Sequence, residues 1–176
     1  IKLLASHRAK GHQTRLFVHL SSPSLQDMSL IAWLSSALKA ARLPADALII
    51  QIRETDAITH LKQVKRLTEG LRELHCLIAL GQFGCAVNPF NTLKHLDVDY
   101  VKIDGSFTNE LHDTEQQESL KEMLAALHAQ ARQTIVPFVE SATVLTVLWQ
   151  AGVNYIQGHY LQAPSTSMDY DFGNNE

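Results

Sequence analysis

The chain is poor in cysteine. It has two, Cys76 and Cys85, and their spacing fits no zinc pattern. They read as reduced thiols in a cytosolic protein, with no disulfide expected. No apolar run approaches the roughly 18 residues a membrane helix needs, so direct membrane insertion is not expected. The formal net charge is −3, which gives no bulk attraction to DNA, RNA or an anionic membrane surface. A local basic pocket stays open. The first residues do not form a signal peptide, because His7, Arg8 and Lys10 lie within a helical pattern. That pattern begins without a Met, as in a piece of a longer polypeptide. Low-complexity segments, linkers and internal repeats are also missing.

What is present is a globular composition, 45% apolar and 19% charged. The length suits one domain over residues 1–176, with a polar C-terminal tail from 165 to 176. Residues 1–10 have helix spacing, stopped by Gly11. Six β-rich runs follow, at 15–20, 47–53, 76–80, 100–103, 134–136 and 153–156. Helical patterns separate them. One spans 25–43, with Ser24 as candidate N-cap and Pro44 beyond it. A second runs to about Leu74 and could be capped by Thr55 or Asp56. A third covers 115–132. A fourth starts at Ser141 and is stopped by Gly152. Trp33 and Trp149 fall at helical spacing and read as packing residues. Lys62, Lys65 and Arg66 read as a solvated face.

Strands alternating with helices argue for a parallel sheet. A (β/α)8 barrel and an open doubly wound sheet compete. The open sheet would show a Gly-rich turn after its first strand, and that turn here is Ser21-Ser22-Pro23-Ser24. The barrel is favoured, with about six βα units present and the N-terminal strands absent, since a barrel typically takes about 250 residues. Ligands bind at the carboxyl ends of barrel strands. The residues there are His19, Gln51 with Glu54 beyond it, Gly81 and Gln82, Lys102 and Asp104, Pro137, Phe138 and Glu140, then Gln157 and Gly158. Carboxylates are few. A two-metal hydrolase needs several oxygen ligands around two divalent cations, and the first three strand ends supply none.

FVHLSSPSLQD, LIIQIRETDAI, LIALGQFG, VDYVKIDGSF, TIVPFVES and YIQGHYLQAP resemble, in order and spacing, the EAL domain. That family comprises (β/α)8 barrels that bind and usually hydrolyse cyclic di-GMP. The resemblance covers residues 1 to about 164 and is strongest to the degenerate receptors of FimX type. The PFVES segment and the tail through MDYDF carry that narrower likeness. The departures concern metal ligands. The family's N-L-S asparagine is His19, its E-I-T-E ligand is Gln51, and its D-D-F-G aspartates are Gly81 and Gln82. Its E-G-V-E loop has Pro137 and Phe138 in place of the first Glu and the Gly. Lys102, Asp104, Glu140 and Gln157 match the family pattern. The name-giving E-A-L motif would precede Ile1.

The resemblance with these departures implies a catalytically inactive cyclic di-GMP receptor needing no divalent metal. Phe138 would stack on a guanine, where a base is worth about 1–3 kcal/mol. Glu140 would accept from guanine N1–H and its exocyclic amine. Gln157, Gly158, Tyr160 and Pro164 would form the opposite wall, with His159 beside them. Lys102, next to Asp104, would pair with phosphate or with a carboxylate. The resemblance also implies a PilZ-domain-type partner, a role in type IV pilus biogenesis and twitching motility, and a cytoplasmic setting at the cell pole. Two other readings stay open: an active metal-dependent phosphodiesterase, and a protein-interaction module without nucleotide binding. Plainer roles also stand beside each residue. Lys102 could form an ion pair with Asp104 or Glu140, Phe138 could be core, Gln82 and Gln157 could satisfy buried backbone, and His19 could be a hydrogen-bonded interior residue.

Overall fold

The computed structural model describes residues 1–109, 111 and 113–168. Six strands run parallel: β1 (Leu16–His19), β2 (Leu48–Arg53), β3 (Leu77–Phe83), β4 (Tyr100–Ile103), β5 (Gln133–Val136) and β6 (Tyr155–Ile156). Each pairs with its sequence neighbour in the order β1-β2-β3-β4-β5-β6. An open doubly wound sheet reverses its strand order at a switch point. This sheet has no reversal and is the partial wall of a β/α barrel. Eight α-helices lie among the described residues: α1 (Lys2–Ala9), α2 (Leu30–Ala41), α3 (Glu54–Thr59), α4 (Leu61–Glu73), α5 (Pro89–Leu93), α6 (Ser106–Asn109), α7 (Thr114–His128) and α8 (Ala142–Gln150). None is long and apolar enough to cross a membrane. Of the tail expected over 165–176, residues 169–176, including the end of MDYDF, lie outside the described residues.

Alternation along the strands sets the two layers. Leu48, Ile50, Ile52, Ile78, Leu80, Val101, Ile103 and Val136 join the large helix-side core. Ile49, Ala79, Tyr100 and Ile135 form a separate cluster on the barrel-interior face. Fully burying each such aliphatic side chain stabilises the fold by about 1.5–3 kcal/mol. The interior face also carries aromatic contacts, Phe17 edge-on to Tyr100 at 5.5 Å and Tyr100 to Tyr155 at 5.9 Å.

Several local expectations change. The helix expected from residue 25 begins at Leu30, because Ser22–Gln26 forms a 3-10 turn with Pro23 at its start. Ser24 therefore caps nothing; Ser29 N and Oγ instead donate to Asp27 Oδ1 at 2.8 and 2.7 Å. The long helix after β2 is two helices broken at His60. Asp56 is buried rather than capping, accepting from Ser22 Oγ and from Arg53 Nε at 2.8 Å. The third strand does not stop at Leu80 but continues to Phe83 through a register shift. Trp33 and Trp149 are 60% and 79% exposed. Helical spacing gave them a face, but α2 buries Leu34 and Leu38 and α8 buries Leu148. Lys62, Lys65 and Arg66 are solvated as expected.

Candidate functional site

The carboxyl ends of the strands build one polar rim, and it divides into an interior half and a loop half. The interior half opens into a cavity of about 870 Å³ that runs along the inner face of the sheet, lined by Arg15, Asp46, Tyr100 and Tyr155 toward the amino ends of the strands and by His19, Gln51, Lys102 and Gln157 toward their carboxyl ends. Lys102 Nζ donates to Gln157 Oε1. The expected rival, an ion pair of Lys102 with Asp104 or Glu140, is not made among the described residues. Burial lowers the Lys102 pKa. Burial also lowers that of His19, and the Lys102 charge adds to it. The His19 residue is exposed with its ring only partly desolvated, and the ring makes no hydrogen bond among the described residues, unlike the interior residue expected.

Gln51 is buried at 3% exposure, and its Oε1 has no partner among the described residues. A Cβ at Gly81 would lie 2.3 Å from Gln51 Nε2. The amide thus fills the volume that a side chain at 81 would need. Gln82, expected as a backbone-satisfying residue, is instead exposed and left-handed at φ 55°. The fit of this rim to two divalent cations can be judged from its donor set. At the positions where the family pattern has metal ligands that this chain replaces, it offers one imidazole (His19), two neutral amides (Gln51 and Gln82), a glycine (Gly81) and a proline (Pro137). Hard divalent cations take several anionic oxygens, and no group of three or more His, Cys, Asp or Glu among the described residues could hold a metal. The residues present do not fit the two-metal centre.

Two carboxylates directly follow β2 and β4, both committed to loops. Glu54 is fully buried. Its Oε2 accepts from Gly84 N and Ala86 N, both at 3.2 Å, while Oε1 has no partner among the described residues. Burial raises its pKa; the loop N–H groups oppose this and the Asp104 charge adds to it. Sequence reasoning named Glu54 only as a neighbour of Gln51. Its partners lie 30 and 32 residues downstream and are backbone groups, which leave no side-chain signal. Asp104 Oδ1 accepts from Ser106 N at 3.0 Å. Burial opposes its ionisation, but hydrogen bonds from Ser106, Cys85 and Gly105 prevail and its pKa is lowered.

The loop half follows β5. Thr108 Oγ1 donates to Pro137 O at 2.7 Å in a buried setting. Val139 N donates to Gln157 O at 3.0 Å, and Tyr160 N to Val139 O at 3.1 Å. Gly158 packs on this backbone so closely that a Cβ there would lie 2.0 Å from Val139 O. Between these anchors Phe138 is left-handed, φ 59°, and 58% exposed. It is not core. A bulky residue in that region carries a cost of about 1–3 kcal/mol and persists only where its surroundings over-determine it. Glu140 is exposed, with His159 Nδ1 at 4.0 Å. Tyr160 is exposed beside them. Gln157, Gly158 and Pro164 border a second hollow of about 400 Å³ together with His7 and Thr14. The structure therefore joins Lys102 to Gln157 and groups Gly158 and Pro164 near them. Phe138, Glu140 and Tyr160 line neither hollow and stand on the outer rim.

The fold and this rim define a β/α-barrel protein with its polar groups gathered at the carboxyl edge. The EAL domain profile matches residues 1–164, and the chain belongs to the EAL domain family. Among solved structures, a FimX EAL domain is 64% identical with a TM-score of 0.94, covering 97% of this chain and 69% of that one. The FimX EAL domain from Pseudomonas aeruginosa bound to c-di-GMP is 61% identical, TM-score 0.92, covering 98% and 69%. The cyclic di-GMP phosphodiesterase PdeF of Escherichia coli (strain K12) is 26% identical over 170 residues, 96% of this chain and 23% of that protein. The chain thus spans less than a quarter of the length of that curated relative.

Proposed function

We propose that this EAL domain is a receptor for cyclic di-GMP without phosphodiesterase activity. The observation that carries the reading is the Gln51–Gly81 contact, in which a neutral amide occupies the space of a metal-binding side chain. Without bound cations no hydroxide is generated to attack a phosphodiester. Nucleotide binding is supported by the 61% identical FimX EAL domain bound to c-di-GMP. Phe138 stacks on a guanine, and Glu140 accepts from its N1–H and amine. The wall of Gln157, Gly158, Tyr160 and Pro164 closes the other side. Lys102 faces a phosphate, while Asp104 fixes the end of β4. The bound state is read by a PilZ-domain-type partner in type IV pilus biogenesis and twitching motility, in the cytoplasm at the cell pole.

Calorimetry of the full-length protein with cyclic di-GMP in EDTA should show binding, and incubation with Mg²⁺ or Mn²⁺ should yield no linear product. Turnover at ordinary enzymatic rates would overturn the reading. Absence of binding heat would leave an interaction module instead. A PilZ-domain protein should bind with a different affinity when cyclic di-GMP is present; equal affinities would remove it as the reader of the signal.

A further inference from the structure

The exposed ring of Phe138 is placed by another residue. Gly105, directly after Asp104, is buried. A Cβ built on it would lie 2.2 Å from Phe138 Cε2, 2.3 Å from Cδ2 and 3.5 Å from Cζ. These are its three nearest neighbours, and all belong to one ring. Gly158 differs, because the atoms nearest to its Cβ are the Val139 backbone. Gly105 is also not among the glycines at positive φ, which are Gly11, Gly84 and Gly152. Alanine therefore suits the backbone at 105, and its one obstacle is the Phe138 side chain. The left-handed Phe138 backbone is fixed independently, through Pro137 O and the bonds of Val139. The backbone sets where the side chain departs, and the space above Gly105 sets where the ring ends up.

We propose that Gly105 is a positioning residue for the base-stacking ring. Its missing side chain lets the Cδ2–Cε2 edge of Phe138 settle against β4's end, leaving the rest of the ring open to a planar base. This inference rests on the receptor reading above. Apart from its chain neighbours, a methyl group at 105 meets the Phe138 ring and no other protein atom closer than 3.5 Å.

The test is a two-by-two set in the full-length protein: wild type, Gly105→Ala, Phe138→Ala and the double variant, titrated with cyclic di-GMP in EDTA. Phe138→Ala should weaken binding about 5- to 150-fold, the stacking range of about 1–3 kcal/mol at 1.4 kcal/mol per tenfold. Gly105→Ala should weaken binding by a comparable factor in the wild-type background. In the Phe138→Ala background it should change affinity by less than about twofold, the limit for non-interacting changes. The double variant lacks the ring that the new methyl would meet, so its folding does not depend on that clash and its result stands even if the single variant melts. Equal weakening by Gly105→Ala in both backgrounds would overturn the proposal, as would no weakening in the wild type. Unchanged affinity in Phe138→Ala would overturn it too, by removing the ring from the site. If the wild type itself does not bind, the receptor reading falls and the positioning role falls with it; binding by the wild type with a null Gly105→Ala removes the positioning role alone.

Discussion

Gly158→Ala is expected to loosen the join between the ends of β5 and β6. The new Cβ would lie 2.0, 2.3 and 2.6 Å from Val139 O, N and C. These are backbone atoms, so no side-chain rotation relieves the contact. The chain has two responses. It can hold its bonds and accept overpacking, which costs about 1–3 kcal/mol. It can instead move apart and lose the Val139 N–Gln157 O and Tyr160 N–Val139 O bonds. At about 0.5–1.5 kcal/mol each, that loss is also about 1–3 kcal/mol. The responses are alternatives, so the expected destabilisation is about 1–3 kcal/mol rather than their sum. For a domain of this size each kcal/mol shifts the melting midpoint by about 2–4 °C. Urea unfolding followed by circular dichroism measures the global term, and amide exchange at Val139 and Tyr160 reports the local one. A loss below about 0.5 kcal/mol with unchanged exchange at both amides would refute the packing argument.

Glu54→Gln should change the pH dependence of stability. The folded pKa of Glu54 is raised above its ordinary value of 4.5, so the folded state holds the extra proton and stability falls as pH rises through and above that value. The glutamine variant should lack that decline in urea midpoints from pH 4 to 8; a parallel curve would reject the assignment. Glu54→Ala leaves the Gly84 and Ala86 N–H groups without their acceptor and should cost about 1–3 kcal/mol, measured by the same unfolding; a neutral result would show that the loop finds other acceptors. Asp99→Ala should destabilise by about 1–3 kcal/mol, because Asp99 accepts from Ile78 N at 2.7 Å and from Arg72 Nη1 at 2.9 Å. Asp97→Ala should cost at most about 1 kcal/mol, since that side chain is 70% exposed although it pairs with Arg72 and Arg132. The reverse order in chemical denaturation would contradict the burial argument. Lys102→Met should weaken cyclic di-GMP binding and flatten its dependence on salt; an unaltered salt slope would take the ammonium out of contact with phosphate.

The parallel six-strand sheet was legible because β-rich runs alternate with helical patterns along the chain, the arrangement that parallel pairing requires. In the LIIQIR run the helix-side aliphatics alternate with Ile49 and Gln51, which face the interior. The end of β3 was not legible, because Gly81 and a left-handed Gln82 read as loop, while the strand is carried on by Gly81 pairing with Arg53 of β2 and Phe83 with Ile103 of β4. The Asp56 cap failed because its carboxylate is taken by Ser22, 34 residues upstream, and by Arg53 next to the helix start. The rim positions themselves were readable from the ordered motifs. Their partners were not. Which acceptor Lys102 finds is a matter of distance across the sheet, and Phe138 sits in a run of β-formers that gives no warning of a left-handed bend. The helical spacing of Trp33 and Trp149 likewise says nothing of which helix face a neighbour covers.

Gln157 touches both halves of the rim through different atoms. Its side-chain oxygen holds Lys102, and its main-chain oxygen holds Val139, one residue from the aromatic ring. An anion that draws Lys102 away frees the amide and leaves the peptide bond where it was. Lys102 and the strand end that carries the ring are thus both tied to Gln157, one through its side-chain amide and the other through its main-chain carbonyl.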